Sequence, residues 1–258
     1  MQEHIATLIE LQRFGYWSRF KIHAPGLAQM QPGQYMALHA ALPGSYDPLR
    51  RLMLFPSNTD ARTGTIDVLV AQNDPAHGFL ASQPSNGPIT LLGPIGHGWQ
   101  LERAVRTVAL AGTVAHAATL FGLAQVAVRR GCAVSLLLSA HEPNIPPPPF
   151  LLSADAEYNV TYGSDLAQTV LDQISDDTLR WADMLALALP IDHLATIAQR
   201  IWQTRLNWTE GMAQALLLPD PVCYVGVCGV CAVPTRQGYR LSCIDGPVFD
   251  LKQVAGYR

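Results

Sequence analysis

Val105-Arg-Thr-Val-Ala-Leu-Ala111, then Gly112-Thr113, then Val114–Arg130 form the stretch on which the fold turns. The first run predicts a buried strand, the Gly-Thr pair a tight turn, and the last run a helix. Arg129, Arg130 and Gly131 suit the end of that helix, since two cations complement its dipole and a glycine supplies the cap. Cys132–Leu138 then predicts a second buried strand. Strand, helix and strand in this order mean parallel strands joined by a crossover. Further on, Pro146–Pro149 reads as a stiff, polyproline-like connector. The alternation resumes with Tyr158–Tyr162 as strand, Leu166–Ile174 as helix, Met184–Leu189 as buried strand and Asp192–Leu206 as helix. On that last helix Leu194, Ile197, Ala198, Ile201 and Trp202 repeat at helical spacing and predict one buried face.

Upstream the pattern differs. Ile5–Leu11, Gln34–Leu38, Leu49–Phe55, Thr65–Val70 and Ile89–Leu92 read as short strands, punctuated by Pro32-Gly33, Pro43-Gly44, Asn86-Gly87-Pro88 and Gly93-Pro94. Short strands at this spacing predict a small antiparallel barrel. Downstream, Pro219-Asp220-Pro221 leads into a cysteine-rich loop and a hairpin turning near Gln237-Gly238. The expected architecture is multidomain α+β. An N-terminal antiparallel β-barrel covers 1–100, a doubly wound parallel α/β domain 101–215, and a small C-terminal cysteine module 216–258.

Composition narrows the function. Of 258 residues 14% are charged, against a usual figure of about 25%. Seventeen basic and 20 acidic residues leave a net charge of −3, which argues against a nucleic-acid-binding surface. No apolar run reaches the roughly 18 residues of a membrane span. Met1-Gln2-Glu3-His4 lacks the basic head of a signal peptide. A cytoplasmic protein with an apolar surface that meets a permanent partner is the expectation. There is no H-E-x-x-H pair, P-loop or nucleophile elbow. His116 reads as a structural or solvent-facing histidine and Cys132 as core.

The remaining cysteines carry the chemistry. Cys223, Cys228, Cys231 and Cys243 follow the spacing C-x4-C-x2-C, then eleven residues, then C. This is the plant-type ferredoxin order of ligands to a [2Fe-2S] cluster. Four thiolates are required, because each tetrahedral iron binds two bridging sulfides and two protein sulfurs. Gly226 and Gly229 suit a loop that must wrap closely and turn its amides toward sulfur. Zinc is the rival, but structural zinc favours paired C-x2-C knuckles, and only Cys228 and Cys231 form one.

With these residues in place the chain resembles the electron-transfer subunit of NAD-linked dihydroorotate dehydrogenase, in the ferredoxin-reductase superfamily. The family pattern C-G-x-G-x-C-x-G-C, a hairpin and C-x-D-G-P-V-F compares with Cys223-Tyr-Val-Gly226-Val-Cys228-Gly-Val-Cys231 and Cys243-Ile-Asp245-Gly246-Pro247-Val248-Phe249. Pro32-Gly33-Gln34-Tyr35 is similar to the family's first barrel turn. Gly93-Pro94-Ile95-Gly96-His97-Gly98-Trp99 is similar to its domain-junction motif G-P-L-G-N-G-F. The likeness spans nearly the whole chain.

The resemblance implies FAD on the barrel, with a weakened motif. Its R-P-x-S strand reads Arg51-Leu52-Met53-Leu54, keeping the phosphate-contacting arginine and losing the serine. Its G-T-x-x-L segment reads Ala76-His77-Gly78-Phe79-Leu80. The implied flavin contacts are thus Arg51, Met53, Leu54 and Gly78. NAD is not expected. The glycine-rich turn is reduced to Gly112, C-G-P reads Ala188-Leu189-Pro190, and D-G-S-x-G reads Tyr162-Gly163-Ser164-Asp165. The function implied is an electron-transfer component of a hetero-oligomer with a flavin-containing oxidoreductase, rather than a self-sufficient enzyme. The alternative is a non-catalytic structural subunit whose cluster stabilises the fold.

Overall fold

The computed structural model describes residues 1–41, 50–142 and 145–254. Residues Pro43-Gly44 and Leu49 of the expected turn and strand lie outside them.

The N-terminal strands are β1 (Gln2–Phe14), β2 (Trp17–His23), β3 (Tyr35–His39), β4 (Leu52–Leu54), β5 (Pro56–Asp60), β6 (Thr65–Ala71) and β7 (Pro88–Ile95). They form one antiparallel sheet in the order β4-β3-β7-β1-β2-β6-β5. β1 and β2 join through a two-residue turn in which Gly15 adopts φ +63°, a conformation glycine reaches without strain. Alternate side chains, Phe20 and Ile22 on β2 and Ile66 and Val68 on β6, fill the concave face with Met36, Leu38 and Leu91. Helix α1 (Pro75–Ser82) closes one end with Ala76 and Leu80.

The expected barrel is a curled sheet with an open seam. Its edge strands β4 and β5 are separated in sequence by Phe55 alone, so the chain itself brings the two ends together. No pairing closes the ladder among the described residues. β4 has three residues, and β5 begins at Pro56, which has no N–H to donate.

The second sheet contains β8 (Thr107–Thr113), β9 (Ala133–Ala140), β10 (Ala156–Tyr162), β11 (Met184–Ala188), β12 (Ala213–Leu216) and β15 (Val248–Asp250), ordered β10-β9-β8-β11-β12-β15. The first five pair in parallel, and β15 adds antiparallel to β12. Gly112-Thr113 therefore ends β8 instead of forming a separate turn. A short 3-10 turn, Val114–His116, precedes helix α2 (Ala117–Arg129). Val108 and Leu110 pack on the α2 side. Ala109 and Ala111 face the core built by α3 (Leu166–Gln173), α4 (Asp176–Trp181) and α5 (Ile191–Thr204). Burial on both faces explains why these strands read as unbroken apolar runs.

On α5, Leu194, Ile197, Ala198 and Ile201 are buried as expected. Trp202 is not, being 52% exposed. It lies one position, about 100° of helix rotation, beyond Ile201 and rests edge-on against Trp208 at 5.3 Å. The connector after β9 is a strap. Trp17 Nε1 donates to the Ile145 carbonyl at 2.7 Å, Tyr158 Oη to the Pro147 carbonyl at 3.0 Å, and Phe150 packs on Phe14.

The two sheets meet where α2 crosses β5. A Cβ on Gly122 would stand 2.7 Å from the Pro56 carbonyl oxygen, so this glycine is required for close approach. Gly122→Val should lower stability by about 1–3 kcal/mol through overpacking, read as a reduced urea midpoint at unchanged slope. An unaltered midpoint would show that the sheets do not depend on this contact.

Candidate metal centre and its neighbouring cavities

Three segments distant in sequence converge beside the second sheet. Trp99 N–H donates to the Pro32 carbonyl at 2.8 Å, and Gln34 Nε2 to the Gly96 carbonyl at 2.8 Å. His97 N–H donates to the Gly246 carbonyl, and Leu217 N–H to the Pro247 carbonyl at 2.8 Å. Gly33 sits at φ +92°, and a Cβ there would lie 2.9 Å from both Trp99 and Val248. Three of the motifs quoted from the sequence are thus parts of one seam.

The cysteine hairpin is built on that seam. Strands β13 (Ala232–Thr235) and β14 (Gly238–Leu241) turn at Arg236-Gln237 and carry Cys231 and Cys243 just outside their paired ends. These two sulfurs lie 3.3 Å apart and are buried with Tyr35, Ala37, Ile95 and Tyr224. Cys223 and Cys228 occupy the outer loop, half-buried and exposed respectively, with Cys228 N–H directed at Cys223 Sγ at 3.5 Å. Gly226 and Gly229 take φ +75° and +72°, as the spacing predicts. Tyr224 stands where the resemblance places glycine and also has positive φ, +63°. Such a conformation costs a non-glycine residue about 1–3 kcal/mol. Its buried ring on Tyr35 and its hydroxyl donation to the Arg51 carbonyl at 2.8 Å offset that cost.

The donors fit a two-iron cluster. All four cysteines are free and fall into an inner and an outer pair. Among the described residues no three His, Cys, Asp or Glu side chains, the four cysteines included, are gathered around one point. The electrostatics are graded. Backbone N–H groups, that of Cys228 foremost, pull the Cys223 thiol down to about 6. Burial pushes Cys243 up to about 12, helped by the Cys231 thiol beside it. Burial and these same cysteines raise the Tyr35 phenol well above the ordinary tyrosine range.

Met53 and Leu54 line a cavity of about 290 Å³ between the curled sheet and the start of α2, with Tyr16, Trp17, Phe55 and Asp74. Arg51 and Gly78 do not line it. Arg51 Nη2 is paired with Glu3 at 2.8 Å, and its Nη1 is buried without a partner among the described residues. Gly78 lies in the middle of α1 and is exposed. At the helix start Asp74 caps the Ala76 N–H at 2.8 Å, and Pro75 has none. The apolar and aromatic walls fit a flavin ring. Among the described residues no lysine or arginine lines the cavity and the Asp74 carboxylate occupies the α1 N-terminus, which weakens the hold on a diphosphate and leaves Tyr16 and Asn73 as side-chain donors on its wall.

A second cavity, about 410 Å³, lies at the carboxyl ends of β11 and β12, where open α/β sheets bind nucleotides. Leu189, Pro190, Leu216, Leu217 and Val233 line it, with His116 the single ionisable residue among the described ones. Burial pulls His116 down to about 4, so it is a neutral imidazole at physiological pH, bonded to Thr113 at 3.1 Å. A Cβ on Gly112 would lie 2.8 Å from Leu120. That glycine serves helix-on-strand packing. Sequence reasoning missed Tyr35, Tyr224 and Asp74, because their roles depend on partners far away in the chain.

The thiol gradient is measurable in metal-free protein. Iodoacetamide reacts with thiolates. Reaction at Cys223 should level off once pH passes about 7, whereas that at Cys243 should keep rising to high pH. Peptide mapping at neutral pH should find Cys223 modified first. Equal modification of Cys243 would contradict this geometry.

Comparison with known proteins gives the same picture. Residues 222–255 match the iron-sulfur cluster binding domain of dihydroorotate dehydrogenase B. The electron transfer subunit of dihydroorotate dehydrogenase B (NAD(+)) from Bacillus caldolyticus is 29% identical over 238 residues, covering 87% of this chain and 86% of that protein. Among solved structures, the NADH-dependent reduced ferredoxin-NADP oxidoreductase superposes with a TM-score of 0.74 at 19% identity, over 97% of this chain and 89% of the other. The ferredoxin reductase of carbazole 1,9a-dioxygenase does so at 0.59 and 14%, over 80% and 64%. At these identities the structural likeness speaks for the fold. The chain is thus similar to the electron transfer subunits of dihydroorotate dehydrogenase B and has a ferredoxin-reductase-like fold.

Proposed function

We propose that this chain is an electron-transfer subunit. Cys223, Cys228, Cys231 and Cys243 hold a [2Fe-2S] cluster, and the chain works in a hetero-oligomer with a flavin-containing oxidoreductase. The observation that carries the reading is the arrangement of four free cysteines as a buried and an exposed pair on one loop and hairpin. When bound, such a cluster supplies reversible one-electron transfer.

The chain's own contribution is to hold, shield and orient. Loop amides stabilise thiolate charge at Cys223. Tyr35, Ile95 and Leu218 keep water from the inner pair. On the outside Val222, Val225, Val227, Val230 and Ile244 are exposed, Val227 to 83%. An apolar collar around charged sulfur suits a docking partner that excludes water from the electron path. Among the described residues no helix is long and apolar enough to cross a membrane. Residues 1–100, 101–215 and 216–258 form the flavin-type unit, the nucleotide-type unit and the cluster module in this reading.

FAD belongs to the reading through the cavity of Met53 and Leu54, with its phosphate-contacting motif weakened. Nicotinamide dinucleotide is left out, since the cavity at β11 and β12 offers apolar walls and one neutral imidazole. Titration with NADH should show no saturable micromolar binding; a defined micromolar Kd would overturn that exclusion.

The deciding experiment is an anaerobic absorption spectrum with iron and acid-labile sulfide assays. Visible bands that bleach on dithionite, with two irons and two sulfides per chain, are expected. Cys228→Ser should abolish them and Cys132→Ser should leave them unchanged. Colourless protein holding stoichiometric zinc would refute the redox reading. An irreducible cluster would favour the structural subunit.

A further inference from the structure

Tyr35 is fully buried on β3, and its hydroxyl has no hydrogen-bond partner among the described residues. Its ring is fixed between Phe55, at 5.7 Å between centroids, and Tyr224, at 6.2 Å, so it cannot turn to solvent. It shares one core with Cys231 and Cys243, closed by Ala37 and Ile95 and by the partly buried Met53, Leu92 and Leu218. Neither cysteine sulfur is its hydrogen-bond partner.

A buried hydroxyl without an acceptor costs about 1–3 kcal/mol, and phenylalanine would fill the same space without that cost. Of the side chains in that core, those with polar atoms are Tyr224, whose hydroxyl already donates to the Arg51 carbonyl, and the two cysteines. The missing acceptor therefore belongs to whatever the cysteines hold. We infer that Tyr35 donates a hydrogen bond to a sulfur of the centre bound by Cys231 and Cys243, and thereby raises its reduction potential. The inference rests on the cluster reading above. Reduction by one electron adds one negative charge to the centre, and an O–H pointed at sulfur stabilises the reduced state more than the oxidised one. Tyr35 is a positioning and tuning residue, in contact with no substrate.

Tyr35→Phe in the full-length, cluster-loaded chain tests this by potentiometric titration. Phenylalanine keeps the volume, so the cluster content should match wild type. The potential should move to more negative values by about a tenfold change in the reduction equilibrium, ~59 mV for one electron. Resonance Raman spectra give a second readout on the oxidised protein. Transfer to D2O should shift an iron–sulfur stretching band in wild type, and part of that shift should be missing from the variant. Equal potentials, or identical D2O shifts with both clusters intact, would overturn the role of Tyr35 alone. Wild-type protein without iron and sulfide would remove the cluster reading and this inference with it.

Discussion

The seam between Pro32-Gly33, Gly96–Trp99 and Asp245–Val248 is the constraint from which the rest of the molecule follows. Gly33 lies so close to Trp99 and Val248 that a methyl group would not fit. Backbone hydrogen bonds from Trp99, His97 and Leu217 tie the three segments together. Because the third segment continues directly into β15, which extends the second sheet, the cysteine hairpin cannot be placed independently of either sheet. Its inner sulfurs inherit a dry, fixed environment from two larger cores.

That placement makes the site asymmetric. The inner pair is enclosed by Tyr35, Ile95 and Tyr224, while the outer loop exposes Cys228 among valines. Burial raises the cost of charge on Cys243, and amides lower it at Cys223. A centre held this way has one side shielded by the chain and the other open to a partner, which is what directional electron transfer requires. The strain at Tyr224 serves the same end, since its side chain anchors the exposed loop to Arg51, just before β4.

Few charged side chains line the two cavities among the described residues. Asp74 stands at the helix end where an anion would otherwise bind, and Arg51 is engaged by Glu3. At β11 and β12 the walls are leucine and proline. Strand order and helix placement are set by apolar packing on both faces of the second sheet and do not depend on polar donors at strand ends. Shape and ligand chemistry are separable in this fold.

Much of this was legible in the residues alone. Periodicity and unbroken apolar runs determined the alternating α/β unit, and cysteine spacing with positive-φ glycines determined the metal-binding loop, because these signals are local. β2, β5, α1, α4 and β12 escaped notice, being short or mixed in polarity, and Trp202 was misplaced because one helical step separates a buried face from its edge. Tertiary structure alone decided that the barrel stays open at Phe55, that β15 completes the second sheet, and that Arg51 faces Glu3. It also brought Tyr35 from the second described loop-to-strand junction to the sulfurs almost two hundred residues away. Contacts of that kind depend on burial and on partners remote in the chain, and no local pattern encodes them.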